Sequence, residues 1–329
     1  MSYKNEIILN TFQELIYKIT GSVIESVIQL KAHASERNIF RLKSNGKSYV
    51  GIFNENEKEN IAFVSFSRTF LNLGLNVPEI LSVSDDSLFY IEEDLGDTTL
   101  YEFAQISNKI SVMDYYEKAL SDLLKFQITA KDSIEYKYCY QTMKFNERVL
   151  REDVKKFSDY YLGKISGNKE LLKEAENITE ICISLIQNVP DDFFMYRDFQ
   201  PRNIMIMNNE LYYIDYQSGR KGPLQYDVAS FLYSGSIDIN DSERMFLLSH
   251  YENELGNYIE YNKEEFRVNI YNFAFIRLLQ VLGSYSYIFE KRKDVKMKDK
   301  ISNALIKMKG LNGYIENEKV NGFIKNLTR

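Results

Sequence analysis

The run Phe193-Phe194-Met195-Tyr196-Arg197-Asp198-Phe199-Gln200-Pro201-Arg202-Asn203-Ile204-Met205 leaves the chain few ways to fold. An apolar segment stops at Arg197-Asp198, four residues pass, and Asn203 opens a second apolar segment. Ile204 to Met207 and Leu211 to Ile214 then flank Asn208-Asn209-Glu210, residues that tolerate the positive φ of a tight hairpin. The hairpin returns Asp215 to the side of the loop. A carboxylate (Asp198), an amide (Asn203) and a second carboxylate (Asp215) therefore converge within about one loop diameter.

The segments before this centre read as a small α+β unit. Phe12, Leu15, Ile16 and Ile19 have helical spacing and Gly21 ends the helix, which packs on the first lobe because its polar face is not basic. Ile39 to Leu42 and Ser48 to Phe53 flank Ser44-Asn45-Gly46-Lys47, a hairpin signal. Glu59 opens a helix with Phe63, Phe66, Phe70 and Leu73 on one face and Gly74 as its cap. Val77 to Leu81 and Ser87 to Ile91 are two further strands. Glu92-Glu93-Asp94-Leu95-Gly96-Asp97 breaks the pattern as a hinge, with Asp97 or Thr98 capping the next helix. From there the chain is helical, with Tyr116, Leu120, Leu123 and Gln127 on one stripe, interrupted only by the central hairpin. The expected architecture is α+β and two-lobed, a small β-rich lobe over residues 1–95 and a larger, mostly helical one over 96–329.

A net charge of −6 argues against nucleic-acid binding, which wants a basic face. Cys139 and Cys182 are the only cysteines, too few for a disulfide framework or a zinc site. There is no apolar run of about 18 residues and no leader-like segment, so the expectation is a cytoplasmic protein with a small-molecule partner and no membrane. His33 and His250 lie far apart and read as structural.

Phosphoryl transfer asks for what the centre offers: metal ions across the phosphates, an aligned hydroxyl and a carboxylate to take its proton. Asp198 suits the proton, while Asn203 and Asp215 offer the oxygens a hard cation prefers. These motifs resemble the aminoglycoside phosphotransferase and choline kinase-like enzymes, which share the protein-kinase fold. Tyr196 to Met205 is similar to that family's catalytic loop and Ile214-Asp215-Tyr216-Gln217 to its metal-binding segment. In Gly222-Pro223-Leu224-Gln225-Tyr226-Asp227-Val228-Ala229-Ser230, the resemblance makes Asp227 a tie to the loop. The loop wording, the hinge and Arg277-Leu278-Leu279-Gln280-Val281-Leu282-Gly283-Ser284-Tyr285 resemble most the bacterial kinases that phosphorylate N-acetylmuramate or N-acetylglucosamine at the anomeric hydroxyl.

The resemblance implies ATP and Mg²⁺ as cofactors, catalysis at Asp198 and metal binding at Asn203 and Asp215. Glu92, Asp94 and Leu95 at the hinge, with Ser35 and Arg41, become the nucleotide-binding residues. Arg202 and Gln217 become substrate contacts, although Arg202 serves equally well as a partner for Asp227. A sugar 1-phosphate product implies a nucleotidyltransferase downstream. Aminoglycoside or choline kinases and a catalytically weak binding module are the alternatives. Three departures stand out. Tyr196 replaces the loop histidine. Phe53 stands where Val50-Gly51-Ile52-Phe53 should end in lysine, leaving Arg37, Arg41 or Lys58 to meet the phosphates. Ala32-His33-Ala34-Ser35-Glu36-Arg37-Asn38 has no glycine to cover them. Asp153 reads as a solvated helix carboxylate.

Overall fold

The computed structural model describes residues 3–30 and 37–329; Ser35 and His33 lie outside the described residues. The chain runs α1 (Tyr3–Thr20), β1 (Ser26–Leu30), β2 (Asn38–Ser44), β3 (Lys47–Phe53), α2 (Glu57–Asn72), β4 (Ile80–Val83) and β5 (Phe89–Glu93). It continues with α3 (Leu100–Ile106), α4 (Lys109–Leu124), α5 (Glu147–Lys156) and α6 (Lys169–Ile186). The central segment holds β6 (Phe193–Met195), β7 (Ile204–Met207), β8 (Glu210–Tyr213) and β9 (Arg220–Gly222). Then come α7 (Leu224–Leu232), α8 (Asp241–Leu255), α9 (Lys263–Arg292), α10 (Lys296–Gly310) and α11 (Glu318–Leu327). Wide π-type turns over Lys125–Thr129 and Phe157–Ser166 extend α4 and α5.

The five strands β1 to β5 form one antiparallel sheet in the order β1-β2-β3-β5-β4. Asn45 and Gly46, at φ +50° and +69°, make the two-residue turn that joins β2 to β3. Strand alternation then decides what each face sees. Tyr49, Phe53, Phe89 and Ile91 pack with Phe12, Leu15 and Ile16 of α1. Gly51 lies on that face because a Cβ there would stand 2.8 Å from both Phe12 Cε1 and Leu42 Cδ1. Ile52 and Tyr90 belong to the larger core that contains Phe63, Phe66 and Phe70 of α2.

This register corrects the reading of Phe53 as the residue in the lysine's place. Phe53 stacks on Phe89 at 4.7 Å, on the side of α1. The β3 residue on the opposite side is Ile52. A one-residue slip exchanges the faces of a strand, and four consecutive apolar or glycine positions gave no alternation to fix it. The cap of α3 also differs: Thr99 accepts from the Glu102 backbone while Glu102 reaches back to Thr99, a complete capping box.

Below the sheet the core is nearly all helical, organised on the 30-residue α9, which packs against α5, α7 and α10. Gly283 permits its closest crossing: a Cβ would meet the Phe157 amide nitrogen at 2.6 Å. The predicted stripe of Tyr116, Leu120, Leu123 and Gln127 is fully buried. No described helix is long and apolar enough to cross a membrane.

Candidate active site

Two short antiparallel pairs build the centre. β7 and β8 are joined by Asn208 and Asn209 at φ +53° and +64°, and Glu210 is paired with Met207 rather than part of the turn. β6 pairs with β9, which periodicity over three residues could not reveal. The Ile214 amide donates to the Asn203 carbonyl (3.0 Å), closing the base of the hairpin and setting Asp215 beside the loop.

The loop is held from below by Asp227, which is fully buried in α7. Its carboxylate accepts the backbone N–H of Tyr196 (2.7 Å) and of Arg197 (2.8 Å), and a longer bond from Gln127 (3.3 Å). Burial pushes its carboxyl up to about 7, against those hydrogen bonds. The tie holds Arg197 at φ +81°, a conformation that costs a non-glycine residue energy and persists only where the surroundings fix it. Tyr196 donates its hydroxyl to the Ile214 carbonyl (2.5 Å), so it braces loop against hairpin from the histidine's position. The Arg197 side chain bonds both oxygens of Asp153 (2.9 and 3.2 Å). Asp153 is thus a half-buried partner of the loop, not a solvated helix carboxylate.

Asp198, Asn203 and Asp215 do converge. Asn203 Nδ2 donates to the Asp198 carbonyl (2.9 Å) and to Asp215 Oδ2 (3.2 Å), which turns its Oδ1 into the acceptor available to a cation. Asp215, at φ +69°, also accepts from Gln217 Nε2 (2.8 Å). Gln217 therefore touches Asp215 directly. Asp198 accepts from Arg277 of α9 at 2.9 Å through Oδ1. Arg277 also donates to Gln280 (2.6 Å) and lies over the Tyr226 ring.

Arg37, one of the cations named for the missing lysine's part, reaches the centre. It precedes β2, and its guanidinium meets Asp215 Oδ1 at 2.5 Å and Glu59 of α2 at 3.4 Å. Burial disfavours its charge, but Asp215, Tyr90 and Glu59 outweigh that and hold its pKa above the ordinary arginine value. Arg41, two alternations further along β2, is engaged elsewhere: it forms a fork with Asp94 (2.7 and 3.0 Å) and reaches Asp97. Asp94 in turn accepts from Ser48 and the Gly96 amide. Leu95 is buried, and Glu92 has a shielded Oε2 with no hydrogen-bond partner. Burial raises the Glu92 carboxyl to about 8.

Helix α2 touches the centre a second time. Phe63 stacks on Tyr216 with centroids 4.7 Å apart and planes 3° from parallel, and Ser67 shares a 2.6 Å hydrogen bond with the Tyr216 hydroxyl. On the other side of the loop, Arg202 does not reach Asp227. It donates to Ser236 Oγ (2.8 Å), and its guanidinium lies 3.5 Å from the Tyr101 ring centroid. Arg277, Glu59 and Asp153 act here without having been singled out for these contacts in the sequence. Arg277 sat inside a recognised motif, whereas the other two carried no local signal.

The donor set fits Mg²⁺. One carboxylate and one amide oxygen suit a cation that keeps several waters and takes its other ligands from phosphates. Among the described residues no group of three or more His, Cys, Asp or Glu side chains could hold a metal without such help.

The ecdysteroid kinase-like family matches residues 111–264, just under half of the chain. An N-acetylmuramate/N-acetylglucosamine kinase of Pseudomonas aeruginosa is 27% identical over 205 residues, covering 61% of this chain and 58% of the relative. One from Neisseria meningitidis is 25% identical over 229 residues, covering 67% and 65%. The chain thus spans less than two thirds of the length of these curated relatives. Among solved structures, a choline kinase from Streptococcus pneumoniae aligns with a TM-score of 0.63 at 17% identity, over 93% of this chain and 99% of that one. A gentamicin-bound aminoglycoside phosphotransferase aligns with a TM-score of 0.62 at 18% identity, over 93% and 96%. The fold is that of the protein-kinase-like small-molecule kinases, and the resemblance to the aminoglycoside phosphotransferase and choline kinase-like group is borne out.

Proposed function

We propose that this chain, a relative of small-molecule kinases, transfers the γ-phosphate of ATP to a hydroxyl of a small acceptor, the anomeric hydroxyl of an amino sugar being the best-supported choice. The observation that carries the reading is the convergence of Asp198, Asn203 and Asp215 around one braced loop. The sugar is supported by two relatives named for N-acetylmuramate and N-acetylglucosamine.

Asp198 would accept the hydroxyl proton through Oδ2, since Oδ1 is engaged by Arg277. Asn203 Oδ1 and Asp215 would hold Mg²⁺, which supplies neutralisation of charge on the phosphate oxygens. Arg37 takes the part of the strand lysine, pairing with Glu59 and turning from Asp215 to phosphate as nucleotide enters. The backbone of Glu92 to Leu95 would face adenine. Reliance on ATP fits a cytoplasmic location, and a sugar 1-phosphate product fits use by a nucleotidyltransferase.

An ATP-consumption screen against amino sugars, muramate derivatives, aminoglycosides and choline tests the reading. Turnover on an amino sugar, lost in Asp198→Asn with Mg-ATP binding retained, is the expected result. Undiminished turnover in that variant would overturn the assignment. Silence across the panel with no Mg-ATP binding by calorimetry would make the chain a non-catalytic binding module.

A further inference from the structure

Against Arg277, the partner of Asp198, lies a cleft between the loop, α7, α9 and α10. Its wall contains Arg202, Arg277 and Lys300, and among the described residues not one carboxylate. Arg277 is committed to Asp198. The other two cations have no such partner: among the described residues no carboxylate oxygen comes within ion-pair distance of Arg202 or Lys300.

Arg202 is held in place by Tyr101 and by a single bond from Nε to Ser236. Lys300 lies 5.4 Å from the Tyr285 ring centroid. Burial, and then the neighbouring charge of Arg202, lower the Lys300 ammonium below the ordinary lysine value, against a smaller opposing effect of Asp294. Two like charges thus share a partly desolvated wall, an arrangement that an entering anion stabilises. A hydroxyl also awaits a partner there. Ser230 Oγ is buried, with the residue 3% exposed, lines the same cleft and has no hydrogen bond. The cleft continues into a second depression through Tyr233, Gly235, Ser236 and Asn303, leaving room for a substituent beyond the reacting ring.

We infer that this cleft receives an anionic group of the acceptor, bound by Arg202 and Lys300 while the acceptor's hydroxyl meets Asp198. The inference rests on the phosphotransferase reading and adds to it the charge of the substrate. A carboxylate held between a guanidinium and an ammonium relieves their repulsion and gains charge-assisted hydrogen bonds. A cationic acceptor would add a further like charge. The cleft therefore selects against aminoglycosides and choline, and selects for an acid over its neutral counterpart.

The test compares N-acetylmuramate with its methyl ester, an acceptor of similar shape without the charge. Wild-type protein is expected to use the acid with a kcat/KM at least about tenfold higher, a ratio that one charge-assisted contact supplies. In Lys300→Met and in Arg202→Gln the acid-to-ester ratio should fall about fivefold or more. Both acceptors are measured on the same protein, so a general loss of activity leaves the ratio readable. Lys300→Gln serves if Lys300→Met does not fold. Equal use of acid and ester by wild type, or a ratio unmoved in both variants, would overturn the inference while leaving the kinase reading intact. If wild type turns over neither compound, the sugar-kinase reading fails separately, and calorimetric titration with acid and ester in the absence of nucleotide decides the cleft. Tighter binding of the acid, lost in Lys300→Met, supports the anion site; equal binding overturns it.

Discussion

Arg277 and Asp198, 79 residues apart in sequence, meet at 2.9 Å, so the carboxylate proposed to take the acceptor's proton is oriented by the longest helix in the protein. Arg277→Met should lower kcat about 10- to 100-fold, the scale on which a misplaced reacting group costs rate. The dissociation constant of Mg-ATP should hardly move, because the bonds of Arg277 go to Asp198, Gln280 and Tyr226 and none goes to Asn203 or Asp215. Single-turnover kinetics alongside nucleotide titration separate the two. A variant that weakens nucleotide instead, with normal single turnover, would contradict the orienting role.

The register of β3 makes a sharper claim about the missing lysine. Arg37→Met should weaken Mg-ATP by about tenfold or more, the loss of one charge-assisted contact. Adding Ile52→Lys to that variant should recover part of the affinity, since residue 52 faces the side on which Glu59 and Asp215 lie. Phe53→Lys should recover none. It buries an ammonium against Phe89 and α1, and should lower stability by about 3 kcal/mol or more. Isothermal titration and urea unfolding of the three proteins check this. Recovery through position 53 would refute the register argument.

Glu92 predicts how stability depends on pH. Its carboxyl is raised to about 8 by burial, above its unfolded value of about 4.3, so the folded state binds the extra proton. Its contribution is fully present below pH ~4 and is lost as pH rises through 8. Between those limits wild type should lose stability relative to Glu92→Gln by up to about 1.4 kcal/mol per pH unit. Urea unfolding of the nucleotide-free proteins from pH 5 to 8 measures the difference, and parallel profiles would rule Glu92 out as its source.

Metal dependence should divide unequally between Asn203 and Asp215. Asp215→Asn removes the only carboxylate of the pair and leaves Arg37 with Glu59 but without Asp215, so turnover at saturating Mg²⁺ should fall about 100-fold or more. Asn203→Ala leaves the carboxylate but removes its 3.2 Å donor, and should chiefly raise the Mg²⁺ concentration needed for half-maximal rate. Rate measured against free Mg²⁺ at fixed ATP distinguishes the two. Identical, metal-independent losses would show that these residues act on folding.

The proposed reaction centre was legible because it is local. Strand, loop, strand, turn and strand within about two dozen residues bring Asp198, Asn203 and Asp215 together by chain geometry alone, and Asn-Asn marks the turn. The hairpin at Asn45-Gly46 and the helix carrying Phe63, Phe66 and Phe70 were readable for the same reason. What escaped was set by distance or by face. Glu59 and Arg37 meet only after the sheet folds over α2, and Arg277 reaches Asp198 from a helix whose sequence states no direction. In Val50-Gly51-Ile52-Phe53 every residue is apolar or glycine, so alternation could not tell which side chain entered the cleft. Lys300 lies in a charged, outwardly ordinary helix, and its neighbour Arg202 comes from nearly 100 residues earlier.

The grip of α2 on Tyr216 has a consequence for how such a chain can change over generations. Phe63 supplies the flat surface and Ser67 the hydroxyl for a residue covalently joined to Asp215. A replacement at any one of these positions spoils the fit of the other two, so tolerated substitutions should arrive in compensating sets. Exposed positions on the same helix, such as Lys58 and Arg68, carry no such obligation and can vary singly. In a randomised library selected for activity, residues 63, 67 and 216 would therefore covary, a statistical link between two lobes created by one stacked ring and one shared proton.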